Sequence, residues 1–505
     1  MDADITPVLG PMVSVNAPAD AVDLLTATLP PPIERVETHI STVLFSDGWA
    51  YKVKKPVRFE FIDLSTPQLR EEDCRREFDL NRRFAPDVYD SVIEICNPAG
   101  EVVDHAVKMR RMPVDRRLTT LLATPNDLRD PIREIAKRVA VAHEAADRSA
   151  RIDAVATADA VRHLWRRSLD DLATLPAAAG EHHRLAMIDT LAMRYLDGRA
   201  ELFAHRIASG HIVDGHGDLL ADDIFCLSDG PRILDCLEFD DQLRFGDVLL
   251  DIGFLAMDLE RLGRAGLADT LLHDYREFTN EVHPSSLFDH YVAYRALVRA
   301  KIATIRGVDA SEYLELCLAW LRRADVRVVI VGGLPAAGKS TVAADLGRSL
   351  GWTVLVADVV RKEVTHVGPG PAAAEFGQGI YSRAGTELTC TELMHRARVA
   401  LRGGESVVID PSFADERWRA AARDVAAATA SAFVELRCVA PTEVCAERLR
   451  HRRHDEANPS DATEEIAVRM TATFDPWPSA IEIGTSRPLP ETMGDAMAAV
   501  DRISR

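Results

Sequence analysis

The feature that most constrains how this chain folds is a stretch at residues 327–347 that reads RVVIVGGLPAAGKSTVAADLG. It begins with a run of β-branched residues, passes through a glycine-containing loop, and continues as an alanine- and leucine-rich helical pattern. The loop carries the spacing G-x-x-x-x-G-K-[ST] at Gly333, Gly338, Lys339 and Ser340. Strand, loop and helix in this order predict a parallel sheet of alternating strands and helices.

The loop has the chemistry of a phosphate site. Glycines let successive backbone N–H groups turn towards a phosphate, and the following helix adds the positive end of its dipole. Lys339 supplies a charge for the β- and γ-phosphates, and the Ser340 hydroxyl is a ligand for Mg²⁺. An incidental glycine turn is the alternative, and the complete strand–loop–helix context argues against it. ATP and Mg²⁺ are therefore the predicted ligands, held by Gly333, Ala337, Gly338, Lys339, Ser340 and Thr341.

Two aspartates lie where neighbouring strands of such a sheet end. The pattern SVVID ends at Asp410, and a carboxylate at this edge is a candidate second contact to the metal. Its alternative role is that of a helix N-cap. The segment VLVADVVRKE places Asp358 and Arg361 just after the second strand. Asp358 is the candidate base or acceptor-orienting residue, and a plain helix cap is its alternative.

A cluster of arginines lies near residue 450. The sequence CAERLRHRRH places them on a helix that leads into a loop. Arginines on such a segment can close on transferring phosphates and neutralise their charge, whereas a solvated basic face is the alternative. The four arginines are Arg448, Arg450, Arg452 and Arg453.

With these residues in place, positions 326 to about 480 resemble the adenylate-kinase-like P-loop kinases, most closely the zeta-toxin-like and gluconate-kinase-like group often labelled AAA-family ATPase. The resemblance rests on the P-loop, the D-x-x-R that starts at Asp358, the strand-end Asp410, and the arginine segment followed by NPSDAT. It implies a small-molecule kinase in which Arg448 and Arg452 are the lid arginines. The sequence has no second ATPase motif of a ring-forming protein.

A second set of acidic residues lies at 214–241, in DGHGDLLADDIFCLSDGPRILDCLEFDD. Phosphoryl transfer to a hydroxyl needs a carboxylate that orients and deprotonates the acceptor, and it needs oxygen ligands for Mg²⁺. Asp218 fits the first role, and Asp235, at the end of a strand, fits the second. The sequence therefore predicts a second phosphotransfer site far upstream of the P-loop.

The region before this set alternates as strands. IERVE, STVLF and AYKVKK each read as a strand, with an S-D-G hairpin turn at 46–48. Lys52 and Lys54 then share one face of the third strand. One of the two is the candidate to reach the α- and β-phosphates, braced by Glu77 on a helix predicted at 67–84.

Together these segments resemble the aminoglycoside-phosphotransferase-like kinases, which have a two-lobed protein-kinase-like fold. More narrowly, they resemble bacterial fusion proteins that join such a domain to a zeta-toxin-like P-loop domain. The resemblance is carried by YKVKKPVRFEFIDLST, EFDLNRRFAPDVY and GHGDL…LDCLEFDD…DVLLDIGFLAMDLE.

The chain departs from that family in two places. The family's loop usually reads H-G-D-L-H-x-x-N, and here Leu220 and Asp223 replace its second histidine and its asparagine. Asp223 can still ligate Mg²⁺, but it brings like charges close together. The first hairpin turn is T-H-I-S at 38–41 instead of a G-x-G-x-x-G loop. An active phosphotransferase and a degenerate nucleotide-binding or scaffold lobe both remain open for this half.

Other titratable residues have plainer interpretations. His143, on an apolar helix face, is predicted to be a satisfied core histidine. The Asp240–Asp241 pair, Asp247 and Asp251 are interpreted as solvated or capping acids, although the stretch that starts at Asp247 also resembles the family's structural aspartate after the metal-binding strand. The eight cysteines are scattered, with no C-x-x-C pair, which predicts reduced thiols.

The length and the pattern changes along the chain predict several domains. A chain of 505 residues exceeds one ordinary core. The predicted fold class is multidomain α/β and α+β, with a two-lobed protein-kinase-like fold followed by a parallel-sheet P-loop kinase fold. Residues 128–207 read as helices, and 211–250 read as loops with two short strands. The predicted segments are a leader at 1–30, an N-lobe at 31–115, a C-lobe at 116–323 and a P-loop domain at 326–505.

The net charge and the composition limit the classes of partner that the chain is expected to bind. A net charge of -19 argues against nucleic-acid and anionic-membrane partners, because both would be repelled. No signal-peptide pattern and no run of 18 apolar residues is present, so the predicted compartment is the cytoplasm. The predicted function is ATP-dependent phosphorylation of a small hydroxylated molecule, a sugar or an aminoglycoside-like compound; a protein partner is left open. The alternative is a nucleotide-gated regulatory or binding protein that hydrolyses ATP slowly and has a degenerate N-terminal kinase domain.

Overall fold

The chain divides into two compact units. The computed structural model describes residues 21–59, 62–178, 180–366, 382–452 and 464–502. The first unit, here called the N-terminal unit, comprises residues 1–189, 205–283 and 291–320. The second, here called the P-loop unit, comprises residues 190–204, 284–290 and 321–505. The P-loop unit therefore includes two short stretches from upstream of residue 321.

The N-terminal unit is built around an antiparallel sheet of five strands in the order β1-β2-β3-β7-β6. Two short antiparallel pairs, β9 with β10 and β8 with β11, carry the acidic segment. The strands of this unit are β1 (Glu34–Glu37), β2 (Ser41–Ser46), β3 (Trp49–Lys54), β4 (Arg58–Phe59), β5 (Ile62–Asp63), β6 (Tyr89–Cys96), β7 (Val102–Arg110), β8 (Ile212–Asp214), β9 (Ile224–Leu227), β10 (Gly230–Ile233) and β11 (Phe245–Asp247).

Helices make up most of the chain between residues 118 and 324. Apolar residues at spacings of three and four form their buried faces, as in Ile132, Ile135 and Val139 of α4, and the polar His143 lies buried on the same face. The helices are α1 (Ala21–Thr28), α2 (Pro67–Arg82), α3 (Leu118–Leu122), α4 (Arg129–Glu144), α5 (Ala150–Asp153), α6 (Ala158–Thr174), α7 (His182–Gly198), α8 (Ala200–Ala208), α9 (Asp241–Arg244), α10 (Val248–Arg261), α11 (Ala265–Thr279), α12 (Ser285–Ile305) and α13 (Ser311–Ala324).

The P-loop unit contains a parallel sheet of five strands in the order β13-β14-β12-β15-β16. All six residues of the central strand β12 are buried, as expected where helices cover both faces of a parallel sheet. Its elements are β12 (Arg327–Gly332), α14 (Lys339–Leu350), β13 (Thr353–Val356), α15 (Ala357–Val364), α16 (Arg383–Arg402), β14 (Val407–Asp410), α17 (Glu416–Ala428), β15 (Ala432–Val439), α18 (Thr442–Arg452), α19 (Glu464–Thr473), β16 (Ile481–Gly484) and α20 (Leu489–Asp501).

These two sheets confirm the predicted fold class. An antiparallel sheet followed by helices is the arrangement expected of a kinase-like fold, and the parallel sheet with its glycine loop is that of a P-loop kinase. One detail of the prediction was wrong: residues 211–250 hold four short strands, β8 to β11, where two were expected. None of the described helices has both the length and the apolar character needed to cross a bilayer.

Candidate functional site

The P-loop follows β12 directly and its backbone needs glycine at two positions. Gly333 and Gly338 have φ values of 136° and 88°, and Ala336 between them has a φ of 59°. A Cβ at Gly333 would lie 2.5 Å from the carbonyl oxygen of Cys438, and one at Gly338 would lie 3.1 Å from Thr485. Both steric space and backbone conformation therefore exclude larger side chains here. Gly338 is the N-cap of α14, so the loop opens onto a helix N-terminus.

The side chains that could bind phosphate and metal lie in the first turn of α14. Lys339 Nζ donates to the carbonyl oxygen of Leu334 at 3.0 Å, so the ammonium group lies over the loop. Ser340 and Thr341 are exposed in the first turn of the helix. The lysine, the hydroxyls and the helix N-terminus are thus together, which is the arrangement that a triphosphate with Mg²⁺ requires.

Asp410 ends β14 beside this loop. It is buried and lies in register with Val356, the last residue of β13. The N-cap of α17 is Asp415, so Asp410 is not a helix cap and that alternative is excluded. The next residues support the loop, because Gly333 N donates to Ser412 O at 3.0 Å. A hydroxyl at Ser340 and a carboxylate at Asp410 are oxygen ligands of the kind that Mg²⁺ prefers, so this pair fits the ion.

Asp358 lies in the first turn of α15, two residues beyond Val356. Its carboxylate pairs with the Arg361 guanidinium one turn later. The N-cap residue of α15 is Val356, which makes no side-chain capping bond, so Asp358 is not a helix cap either. Since Val356 is paired with Asp410, both predicted carboxylates lie at the same edge of the sheet.

Arg448 lies against the P-loop rather than in solvent. Its guanidinium donates to the carbonyl oxygen of Ala336 at 3.2 Å and to the carbonyl oxygen of Thr485 at 2.6 Å. A solvated basic face is therefore excluded for this arginine. Arg450, in contrast, is exposed, and its Nε donates to the carbonyl oxygen of Ala446 in its own helix at 3.4 Å. The Arg452 side chain and Arg453 lie outside the described residues.

Sequence reasoning missed two residues that support the P-loop. Thr485, just after β16, donates its hydroxyl to Ala337 O at 2.8 Å. Trp477 lies so close to Gly332 that a Cβ there would be 2.4 Å from the indole ring. A signal for Thr485 was available, because it follows a short strand at the same carboxyl edge as Asp410. Trp477 lies in an irregular segment, 474–480, where no motif indicated it.

In the N-terminal unit, Lys52 lies between two carboxylates. Its Nζ is 2.9 Å from Glu77 Oε1 and 3.1 Å from Asp235 Oδ1. Burial would lower the pKa of Lys52, but the charges of Asp235 and Glu77 outweigh that effect and raise it well above the usual value. Lys52 is thus a permanent cation next to the candidate metal ligand.

Lys54 shares that face of β3, as predicted, but it is fully enclosed. Its Nζ lies 2.7 Å from Glu77 Oε2, 2.8 Å from Asp73 and 2.7 Å from Glu238. The side chain has no exposed surface. Of the two lysines, Lys52 is therefore the one with access to a phosphate. Asp73 and Glu238 are two more residues that the sequence analysis missed.

Three acidic side chains near Lys52 influence one another electrostatically. Burial raises the pKa of Asp218 to about 6, against the opposing charge of Arg299. Burial, and then the negative charges of Asp235 and Asp218, raise the pKa of Asp223 well above its usual value. The charge of Lys52 holds the pKa of Asp235 below its usual value. This excess of negative charge favours a bound divalent cation.

The spacing of the carboxylate oxygens decides which acidic groups suit Mg²⁺. In the described part of the chain, Asp218, Asp223 and Asp235 do not form a group with all oxygens within 4.8 Å, whereas two other groups do. Each of those two is already held by a basic side chain, Lys54 or Arg133. Mg²⁺ usually takes one or two carboxylates and completes its shell with phosphate and water, so Asp223 and Asp235 fit a nucleotide-borne ion. The two closed groups are Asp73, Glu77 and Glu238, and His273, Asp274 and Glu277.

Asp251 holds the backbone of the loop that carries Asp218. This carboxylate accepts hydrogen bonds from the backbone N–H groups of His216 and Gly217, and it lies 3.3 Å from His143 Nε2. The interpretation of Asp251 as a solvated or capping acid was wrong, because it is buried in the first turn of α10 and the N-cap of that helix is Asp247. His143 is confirmed as a core histidine, with its Nδ1 2.8 Å from the Tyr275 hydroxyl.

Asp247 has one of its two predicted roles. It caps α10 by accepting from Leu249 N at 2.9 Å. It is buried rather than solvated and pairs with Arg206 at 2.7 Å. The solvated alternative was therefore wrong and the capping one is confirmed.

The turn that takes the place of a glycine-rich loop is closed on itself. Thr38 N donates to Ser41 O at 2.8 Å, and Ser41 N donates to the Thr38 hydroxyl at 3.0 Å. Lys55 Nζ donates to the Thr38 carbonyl oxygen. Two of the turn's N–H groups are thus already used within the turn.

Comparison with known proteins gives relatives along nearly the whole chain. Uncharacterized proteins of Mycobacterium tuberculosis and Mycobacterium bovis are 37% identical to it over 479 residues, which is 92% of this chain and 95% of theirs. The model of a family described as an AAA domain matches residues 328–477.

Solved structures are similar to parts of the chain. A gluconokinase from Sinorhizobium meliloti is 17% identical over 35% of this chain and 93% of its own, with a TM-score of 0.27. The APS kinase of Mycobacterium tuberculosis is 22% identical over 35% of this chain and 98% of its own, with a TM-score of 0.28. A choline/ethanolamine kinase family protein from Mesorhizobium loti is 15% identical over 60% of this chain and 92% of its own, with a TM-score of 0.38.

Proposed function

This chain belongs to the family of the mycobacterial proteins that share 37% identity with it, and we propose that it is an ATP-dependent phosphotransferase that acts on a small hydroxylated molecule, such as a sugar or an aminoglycoside-like compound. The observation that carries the proposal is the convergence at the P-loop. Lys339 and Ser340 of α14, Asp410 of β14 and Arg448 of α18 come from three elements and lie at one edge of the parallel sheet.

The P-loop residues have separate roles in this proposal. The backbone N–H groups of the loop and the ammonium of Lys339 bind the β- and γ-phosphates of ATP. Ser340 and Asp410 hold Mg²⁺, which when bound supplies positive charge to the phosphate oxygens. Arg448, already anchored on Ala336 and Thr485, places its guanidinium beside the nucleotide without having to close from solvent.

The acceptor is assigned to the side of the sheet edge that carries Asp358. Its carboxylate orients the acceptor hydroxyl and accepts its proton as the hydroxyl oxygen bonds to the γ-phosphorus, while the bond from that phosphorus to the β–γ bridging oxygen breaks and ADP leaves. Arg361 holds that carboxylate in one rotamer through their ion pair. Arg452, whose side chain lies outside the described residues, is proposed as a second arginine for the transferring phosphoryl group.

The N-terminal unit is proposed to carry a second phosphotransfer site. Lys52, braced by Glu77, binds nucleotide phosphates, and Asp218 orients and deprotonates an acceptor hydroxyl. Asp223 and Asp235 are the proposed Mg²⁺ ligands. Asp251 supports this role because it fixes the backbone just before Asp218 through two hydrogen bonds.

One observation favours a different role for the N-terminal unit, namely that of a nucleotide-gated regulator. The self-closed turn at Thr38–Ser41 leaves fewer N–H groups for a phosphate than a glycine-rich loop does. A regulator would respond to a protein partner, whereas a phosphotransferase turns over ATP faster when its acceptor is added. The two roles are therefore separated by which added component accelerates ADP release.

The proposed setting is the cytoplasm, with ATP and the acceptor as partners. All eight cysteines are free thiols, including the exposed Cys96, which suits a reducing compartment.

The proposal is tested by ADP release from the full chain with a panel of sugars, aminoglycosides and nucleotide sugars. We expect one acceptor class to raise turnover, and Lys339→Ala to lower that turnover by about 100-fold or more, because a preorganised charge on the phosphates is lost. Arg348→Ala, on the exposed side of the same helix, is the matched control.

Two outcomes would contradict the proposal. Full turnover in the Lys339→Ala variant, lost instead on Asp218→Ala, would move the activity to the N-terminal unit. No acceleration by any acceptor, together with acceleration by a protein partner, would favour the regulator.

A further inference from the structure

The strongest unexplained feature outside the P-loop is the ionic cluster around Lys54. One buried ammonium group lies 2.7 to 2.8 Å from three carboxylates, those of Asp73, Glu77 and Glu238. The oxygens of these three lie within 4.8 Å of one another. Buried charges of one sign at this spacing require a cation between them, and Lys54 is that cation.

The cluster joins three separate parts of the N-terminal unit. Lys54 ends β3, and Asp73 and Glu77 lie one turn apart on α2. Glu238 lies three residues beyond Asp235, in the segment that follows β10. The Lys54 ammonium therefore ties the sheet, the helix and the proposed metal-binding segment to one point.

Glu77 links this cluster to the proposed phosphate-binding lysine. Its Oε2 is 2.7 Å from Lys54 Nζ, and its Oε1 is 2.9 Å from Lys52 Nζ. A carboxylate is planar, so the oxygen held by Lys54 sets the direction in which the other oxygen points. Lys52 in turn reaches Asp235 at 3.1 Å. The ion pairs thus form one row from Glu238 to Asp235.

We propose that Lys54 is a positioning residue of the N-terminal site: it holds Glu77 and Glu238 so that Lys52 is directed at the nucleotide phosphates. This inference rests on the proposed phosphotransfer function of that unit. Lys54 does not touch the nucleotide, because its side chain is enclosed on all sides. It acts through Glu77.

The loss of Lys54 has two consequences for the row. Asp73, Glu77 and Glu238 would repel one another and push α2 away from the segment that carries Asp235. Glu77 would also be free to turn both oxygens towards Lys52, which would draw that ammonium away from a phosphate. If Lys54 only balanced charge, its loss would cause the repulsion among the carboxylates but not the reorientation of Glu77. The two roles can therefore be told apart by experiment.

The test uses the full chain with Lys339→Ala, so that the P-loop does not bind nucleotide. The probe is a fluorescent ATP analogue with Mg²⁺, titrated against the variants, with the thermal midpoint measured alongside. Lys54→Met should weaken binding by about tenfold or more and lower the midpoint. Lys108→Met, which removes an ammonium group and its ion pair with Asp90 elsewhere in the same sheet, is the matched control.

A charge-balanced variant separates positioning from stability and also serves if Lys54→Met does not fold. The triple change Lys54→Met, Asp73→Asn and Glu238→Gln removes the cation together with two carboxylates. This variant should unfold at the thermal midpoint of the Lys339→Ala parent but bind the nucleotide about tenfold more weakly, because no ammonium group fixes the orientation of the Glu77 carboxylate.

Recovery of affinity together with the midpoint would overturn the positioning role, and so would wild-type affinity in Lys54→Met. Absence of binding in the Lys339→Ala parent would overturn the proposed N-terminal function, and this role with it.

Discussion

Gly333 is the residue at which the P-loop is least able to accept a change. Its φ of 136° lies in a region that residues with a Cβ avoid, and a Cβ would be 2.5 Å from Cys438 O. The obstructing atom belongs to the backbone of β15, in the sheet, and so cannot move aside as a flexible side chain would. Any substitution must therefore displace the loop from the position in which it receives phosphate.

The corresponding prediction is that Gly333→Ala lowers ATP turnover by about tenfold or more while the protein remains folded. Turnover and the Michaelis constant for ATP are measured on the full chain. Gly351→Ala is the matched control, since its φ is also positive at 69° but no atom lies within 4 Å of a Cβ there. Equal effects of the two changes would show that backbone strain alone, and not the contact with Cys438, limits the loop.

His290 is a buried base in the P-loop unit. It has no exposed surface, and its ring stacks on Tyr195 with the centroids 4.4 Å apart. Burial, and then the positive charge of Arg199, lower the pKa of His290 from 6.5 to about 3. The folded chain therefore keeps this imidazole neutral over the pH range in which the unfolded chain protonates it.

The sign of the pH effect follows from that difference. Below pH 6.5 the unfolded chain binds a proton at His290 that the folded chain does not take up until about pH 3. The contribution of neutral His290 to the free energy of unfolding is therefore complete above the pKa of the unfolded chain. It falls as the pH drops, by about 2 kcal/mol at pH 5. The His290→Phe variant keeps an aromatic ring on Tyr195 but has no titratable group there. Its free energy of unfolding should therefore differ less between pH 7.5 and pH 5 than that of the unaltered chain, by about the same amount. Hydrogen exchange of peptides from the P-loop unit measures this free energy at the two pH values, and His205→Asn, which changes an exposed histidine, is the control. The same pH dependence in His290→Phe as in the unaltered chain would contradict the prediction.

Among the elements, those with a strong local pattern were predicted well. The hairpin turn at 46–48 has positive φ at Asp47 and Gly48, the conformation that an S-D-G turn favours. The helix predicted at 67–84 is α2, Pro67–Arg82, which begins with Thr66 as its N-cap. Turn chemistry and capping residues act within a few positions, so the sequence contains them in full.

Short elements paired over long distances were not predicted. β8 and β11 pair through Asp214 and Phe245, which are far apart in the chain. Each strand has three residues, too few to show a period of two. Their existence depends on the partner strand, which local sequence does not specify.

Helix α17 shows how one element is completed by a remote one. Its last turn is followed by the carbonyl groups of Thr429 and Ala430, which have no partners within the helix. Arg199 donates to both of them, and it is among the largest fully buried side chains of the chain. Gly198 beside it leaves no room for a side chain, since a Cβ would be 2.0 Å from Thr429 O. The stretch 190–204 is thus part of the P-loop unit's core.

At the scale of the whole molecule, the P-loop unit is larger than the region that the P-loop motif indicates. Residues 190–204 and 284–290 belong to it, and they supply Arg199 for α17, Ser286 for Gly404 O at 2.6 Å and Arg194 for Asp325 at 2.6 Å. A fragment of residues 326–505 lacks all three side chains. Its boundaries follow the motif and omit part of the compact unit.

We therefore expect the fragment 326–505 to be less stable than the same region in the full chain. Hydrogen exchange of a peptide covering the end of α17 should be faster in the fragment, and faster in full-length Arg199→Met, because the carbonyl groups of Thr429 and Ala430 lose the hydrogen bonds from Arg199. Arg402→Met, which removes an exposed pair with Glu201 in the same unit, is the control. Equal protection in fragment and full chain would contradict the prediction.

The sequence by itself determined the local parts of this protein: the strand, glycine loop and helix of the P-loop, the hairpin turn, and the shared face of Lys52 and Lys54. These features depend on backbone conformations and periodicities that extend over only a few residues. It also indicated the kinase-like character of the N-terminal region through the order of its short segments.

Only the tertiary structure decided which of the two lysines is accessible from solvent, which aspartate fixes the Asp218 loop, and which upstream residues complete the P-loop unit. Lys52 and Lys54 are equivalent in the strand pattern, and three carboxylates from two other segments make them different. The roles of Asp251 and Arg199 consist of bonds to backbone groups tens or hundreds of residues away, which no local pattern specifies. Burial and long-range pairing are properties of the folded chain, so no local pattern contains them.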